Sequence, residues 1–172
     1  RQAGADLVVN YRDEDVVARA MAFTGGRGVD RVVDVDFGGN IGTFLESAGD
    51  KVDHENYWCI DLNPAVIAHG RELHPRAHFV HFNRYSPQYN PHGVRHEPLP
   101  DCGVKFDFIL AFSVFTHVDQ KEMVELVGSL RRMLSNDGVL AFTFLDPHYD
   151  RSLSDPRLPR GSTALRNLGP RR

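Results

Sequence analysis

The sequence predicts an α/β domain built on a mostly parallel, doubly wound sheet. Three observations carry this. Strand-length apolar runs alternate with helix-patterned segments, which calls for right-handed crossovers and helices on both sheet faces. A glycine-bearing turn, residues 38–42, follows directly on a strand that ends in Asp36. Residues 106–112, Phe-Asp-Phe-Ile-Leu-Ala-Phe, form a nearly continuous apolar run, the pattern of a strand covered on both faces.

Taken in order, residues 7–10 read as a short strand, and Asp13 to Asp15 open a helix with Val16, Ala20 and Phe23 on one face, ended by Gly25 and Gly26. Residues 31–36 form the next strand and residues 43–48 a helix of two turns. Residues 57–60 are a strand closed by Asp61. Asn63 and Pro64 mark a helix start, cap and first position, running to Leu73 before Pro75. Residues 78–82 give another strand. Residues 83–105, rich in Pro, Tyr, His and Gly, form a loop long enough to expect a functional role or disorder. After the 106–112 strand, Asp119 and Glu122 form a capping-box-like start. Met123, Leu126, Val127, Leu130, Met133 and Leu134 then share one helical face. A turn at Asn136-Asp-Gly138 leads into a fifth core strand, residues 139–145. No internal repeat is present.

At 172 residues the chain suits one domain with a real core. A net charge of −3 gives no reason to expect nucleic acid or an anionic membrane as partner. No apolar run approaches the roughly 20 residues of a membrane helix. The two cysteines, Cys59 and Cys102, lack disulfide or metal spacing, so a reducing cytoplasm is the expected location. The chain starts without Met and without a signal peptide, and the reading expects a piece cut from something longer. Three parts are expected: a strand–helix segment over 1–30, the main domain over 31–148, and a tail over 149–172. That tail holds six arginines and one acid from residue 151 onward and reads as a solvated, disordered end.

A sheet of this kind binds ligands beyond the carboxyl ends of its strands, where the strand order reverses. That point should lie past Asp36, between the strands at 32 and 106. A dinucleotide site wants Gly-x-Gly-x-x-Gly there, so that a pyrophosphate can meet the helix N-terminus. With Gly39 and Gly42 as the later glycines, position 37 would have to be glycine, and it is Phe37.

The run Asp36-Phe-Gly-Gly-Asn-Ile-Gly-Thr-Phe-Leu-Glu46 resembles the first motif of class I S-adenosylmethionine-dependent methyltransferases, a Rossmann-like family. Gly38 and Gly42 fill two of its glycine positions, and Asn40 stands where a third is usual. Asn tolerates left-handed backbone better than most residues. Ile60-Asp61-Leu-Asn-Pro64 resembles the second motif, whose acid holds the two ribose hydroxyls; a carboxylate suits that task because it accepts two hydrogen bonds. Residues 97–101, 106–117 and 136–142 are similar to the later motifs in order and spacing, so the resemblance covers about residues 36–145. It implies S-adenosylmethionine as cofactor and methyl transfer to a small-molecule acceptor that the sequence does not name. It implies a cofactor site made of Asp36, Gly38, Asn40, Gly42, Asp61, Leu62, Asn83, Ala111, Phe112 and Ser113, with Asn83 on the adenine side. The family adds two antiparallel strands after the fifth; residues past Leu145 show Pro147, Pro156, Pro159 and Pro170 instead, so these strands are expected to be missing. Binding without turnover is then an open alternative.

Residues 3–19 and 24–39 resemble the nucleotide-binding half of quinone-oxidoreductase-like medium-chain dehydrogenases, without that family's main glycine fingerprint. The chain is then expected to be a hybrid of the two, and two alternative functions follow: an NADP-binding reductase fragment, or a non-catalytic Rossmann remnant.

Plainer roles stand beside each candidate. Asp61 also suits capping of the helix at 63, and Asp34, two positions before Asp36, is the weaker cofactor contact. His117, just past the 106–112 strand, is the first candidate for a general base, with packing or hydrogen bonding as the other role. Tyr85, Tyr89 and Asn90-Pro91 either line the pocket or shape their loop. His74, His78 and His81 cluster in sequence, but strand geometry turns residues three apart to opposite faces, so no metal site is expected. Oligomeric state is left open.

Overall fold

The computed structural model describes residues 15–23, 25–26, 30–38 and 41–143. The expected strand at 7–10, Gly39, Asn40 and everything from residue 144 on lie outside the described residues, including the arginine-rich tail and the expected missing strands.

Among the described residues nine elements follow in order: α1 (Val16–Phe23), β1 (Val32–Asp36), α2 (Thr43–Ala48), β2 (Tyr57–Asp61), α3 (Pro64–Leu73), β3 (His78–His81), β4 (Phe106–Ala111), α4 (Gln120–Met133) and β5 (Leu134–Phe142). Two short 3-10 turns, Gly49–Lys51 and His54–Asn56, separate α2 from β2 and were not expected from the sequence. The caps form as the residue types dictate. Asp15 Oδ1 accepts the Ala18 N–H, Asn63 Oδ1 that of Ala65, and Asp119 Oδ1 that of Glu122. Phe23, placed on the apolar face of α1, is instead 47% exposed.

The five strands form one parallel sheet in the order β3-β2-β1-β4-β5. The chain winds outward from β1 to β3, then returns to the other side of β1 for β4 and β5. The reversal point is therefore between β1 and β4. Side chains alternate across the sheet. Val33, Val35, Trp58, Ile60 and Ile109 pack with Leu126 and Leu130 of α4 on one face. Val32, Tyr57, Cys59 and Phe79 pack with Leu45 of α2 and Ile67 of α3 on the other. Helices thus cover both faces, and each buried Leu or Ile contributes about 1.5–3 kcal/mol of apolar transfer.

The start of one strand and the character of one loop differ from expectation. The strand β5 starts at Leu134, not residue 139, because Leu134 already pairs with Phe106; a register shift between Phe106 and Phe108 then absorbs the Asn136-Asp-Gly138 stretch inside the strand. The loop of residues 83–105 is locally built, with bridges between Arg84 and Val94 and between Ser86 and Asn90.

Candidate active site

The candidate site forms where β1, β2 and β4 end. Asp36 and Asp61 are register partners on adjacent parallel strands, so two carboxyl groups sit side by side at the carboxyl edge. Asp36 Oδ1 accepts the N–H of Phe37 at 2.6 Å. Burial raises the Asp36 carboxyl from 3.8 to about 6; the Phe37 N–H opposes this, and the neighbouring Asp61 charge adds to it.

The chain turns sharply after Asp36. Phe37 drops into the core, and Gly38 adopts φ 104°, backbone that a side chain resists. The turn aims the Gly38 N–H at Asp61, 3.0 Å from each carboxylate oxygen. Asp61 Oδ1 also accepts the Asn63 N–H at 2.6 Å, so the fully buried carboxylate ties the glycine turn to the start of α3. The cap of α3 itself is Asn63, and Asp61 bonds the N–H of that cap residue. Gly42, φ 99°, precedes α2 and lies against the buried His74 ring; a β-carbon there would come within 2.7 Å of His74 Cδ2.

A second wall comes from the loop after β3. The Tyr89 ring lies against Gly38, so that a β-carbon at position 38 would come within 2.6 Å of the ring's Cγ. Tyr89 also meets His117 edge-on, with ring centroids 5.4 Å apart. The loop is held by Arg84, whose buried guanidinium donates to Glu125 at 2.8 Å and Glu122 at 3.1 Å on α4 and to the Glu97 carbonyl at 3.3 Å. Asn90 Nδ2 donates to Asn83 Oδ1 and to the Arg84 carbonyl.

The third wall follows β4. Ala111 is buried at the strand end, Phe112 is 46% exposed, and Ser113 takes φ 58°, an uncommon conformation for a residue with a side chain. That conformation is braced: the Ser113 N–H donates to Thr143 Oγ1 at 2.7 Å, and Thr116 Oγ1 donates to the Ser113 carbonyl at 2.7 Å.

Of the residues singled out from sequence, Asp36, Gly38 and Asp61 converge directly. Ala111, Phe112 and Ser113 end the adjacent strand, and His117 reaches the site through Tyr89. Leu62 points into the core, with its carbonyl hydrogen-bonded by His81, so its side chain does not face the cleft. Asn83 is exposed and engaged by Asn90. Asp34 lies deep under α2 and α3 and accepts the Tyr57 hydroxyl at 3.1 Å, away from the strand ends. Tyr85 stacks under Arg95 at 4.6 Å and shapes the loop. The three clustered histidines have separate surroundings: His74 beside Gly42, His78 stacked on Trp58, and His81 on the Leu62 carbonyl. Sequence reasoning missed the Arg84–Glu122–Glu125 clasp, whose partners lie 38 and 41 positions apart and leave no local pattern. Both cysteines are free; burial pushes the Cys59 thiol up, and the Cys102 thiol up to about 11 with Asp101 adding to the effect, so neither is a ready nucleophile.

Solved structures share this fold. An S-adenosylmethionine-dependent methyltransferase from Clostridium acetobutylicum superposes with TM-score 0.51 at 12% identity, covering 76% of this chain and 51% of that one. An amino pentose methyltransferase from Micromonospora echinaspora, involved in calicheamicin biosynthesis and solved with S-adenosylmethionine bound, gives 0.52 at 21% identity, covering 84% and 60%. DesVI from Streptomyces venezuelae gives 0.51 at 18% identity, covering 80% and 55%. The chain spans half to three-fifths of the length of these three proteins. No curated protein sequence matches it. A methyltransferase-domain family profile matches residues 35–140, and nothing found supports the dehydrogenase resemblance of the residues ahead of it. Carrying that profile over more than half its length, on a sheet wound in this order, the chain belongs to the methyltransferase-domain family.

Proposed function

We propose that the chain binds S-adenosylmethionine at the carboxyl edge of β1, β2 and β4 and transfers its methyl group to a small-molecule acceptor. One observation carries the reading: the glycine turn and the Asp61 carboxylate meet at the point where the strand order reverses. The residues fit such a ligand. Gly38 presents bare backbone against which a flat ring already packs, and Asp61 is held rigidly in place by two amides.

When bound, the cofactor supplies a methyl group made electrophilic by its sulfonium, and the protein's task is positioning. Asp61 would accept from the ribose hydroxyls. The 38–42 turn and the Asp36 carboxylate hold the amino-acid end. Asn83 and the Leu62 backbone border the adenine. Ala111, Phe112 and Ser113 set the distance between acceptor and methyl carbon, which turns binding into effective concentration. The exposed His117 is the base for an acceptor that must lose a proton. Residues 31–148 form the cofactor unit in this reading. The free thiols favour a reducing compartment, the cytoplasm. Among the described residues no helix is long and apolar enough to cross a membrane.

The NADP alternative is disfavoured at Phe37, buried in the core at the position where a dinucleotide turn needs glycine. A thermal-shift titration separates the readings. S-adenosylhomocysteine well above its Kd raises the melting temperature by the equivalent of a few kcal/mol, and NADPH does not. A rise with NADPH alone revives the reductase reading, and no rise with either ligand leaves a non-catalytic remnant.

A further inference from the structure

We infer that Tyr89 is a displaceable plug of the cofactor cleft, competing with the adenosyl ligand for the exposed face of Gly38; this rests on the cofactor reading above. The ring covers the backbone of Gly38, where the lack of a side chain lets a ligand approach closely. Its aromatic neighbour is the exposed His117, edge-on at 5.4 Å, and its hydroxyl has no hydrogen-bond partner among the described residues. The ring also borders the apolar cluster beneath α4, so its swing trades that contact and the one on Gly38 for the ligand.

The backbone under the ring is held firmly. Ser86 and Asn90 exchange both backbone hydrogen bonds at 3.0 Å around Tyr89, and Tyr85 and Val94 close the base of the loop at 2.9 Å. Arg84 fastens that base to α4. The motion is accordingly a swing of the Tyr89 side chain about its own bonds, with the loop staying in place. A ring that leaves Gly38 toward His117 uncovers the turn and lands at the mouth where the acceptor enters, so seating of the cofactor and shaping of the acceptor side are one event.

A plug and a fixed wall respond oppositely to truncation. Calorimetric titration with S-adenosylhomocysteine compares the wild-type chain with Tyr89→Ala, Tyr89→Leu and Tyr89→Phe. The plug lowers apparent affinity by the fraction of chains with the ring out, so removing it lowers Kd about three- to tenfold in Tyr89→Ala and Tyr89→Leu. Tyr89→Phe keeps the ring and binds as wild type. Equal or weaker binding by the folded Ala and Leu variants overturns the plug and leaves the cofactor reading standing. Absence of binding by all four proteins overturns the cofactor reading, and the plug with it.

Discussion

Gly38 donates its backbone N–H to both carboxylate oxygens of Asp61, at 3.0 Å each, across the tips of two adjacent strands. The contact fixes the turn that follows β1 against the start of α3, and it brings the two halves of the proposed cofactor site together before any ligand arrives. Preorganisation of this kind removes ordering costs from the binding step. The neighbouring Asp36, Tyr89 and Arg84 each give this arrangement a measurable consequence.

The raised Asp36 carboxyl makes stability fall with pH. In the unfolded chain the group loses its proton near 3.8, whereas in the folded chain it keeps it to about 6. Between those values the native state binds more protons than the unfolded one, so stability declines as pH rises through this window. Asp36→Asn flattens that part of the profile and raises the melting temperature at pH 7 to 8 relative to wild type. Melting temperatures measured from pH 4 to 8 check both statements.

A methyl group at position 38 meets two obstacles, the positive φ and the Tyr89 ring. Gly38→Ala therefore destabilises by about 1–3 kcal/mol. Tyr89→Ala removes the ring obstacle and leaves the backbone one. In a double-mutant cycle followed by urea unfolding, the pair couples by about 0.5–2 kcal/mol, the double variant losing less than the sum of the singles.

The Arg84 clasp is buried at the guanidinium and wetter at the acids, whose side chains are 36% exposed for Glu122 and 43% for Glu125. Arg84→Met strands no carboxylate in the interior, because both acids can return to water. The loss expected in urea denaturation is about 1–3 kcal/mol, below the 3–5 of a fully buried broken pair.

His117 is exposed, and its ring meets Tyr89 edge-on at the surface. His117→Ala changes stability by less than about 0.5 kcal/mol and leaves S-adenosylhomocysteine affinity unchanged. Turnover of an acceptor that must lose a proton drops about 10²–10⁴-fold. Turnover at the wild-type rate removes His117 from the mechanism.

Most of the sheet was legible because its signals are local. The apolar runs at 57–60 and 106–112 mark strands without reference to anything distant, and Asn63-Pro64 and Asp119 mark helix starts through their own hydrogen bonds. The start of β5 was not legible: Asn136-Asp-Gly138 has turn chemistry, and only the pairing of Leu134 with Phe106 outweighs it. The glycine turn and Asp61 could be placed through motif order. The inward side chain of Leu62 follows instead from the alternation of β2 carried one residue further, a signal present in the sequence but set aside for the motif. Tyr89 and Arg84 act across long separations, and no pattern in residues 83–105 announces their partners.

The most direct measurement of the central claim is a nitrogen–proton NMR titration of the chain with S-adenosylhomocysteine. The Gly38 and Asn63 amides, both bonded to Asp61, shift and saturate with the ligand, and stay in place with NADPH. Saturable shifts confined to other parts of the sheet, with these two amides unmoved, contradict an adenosyl site at this turn.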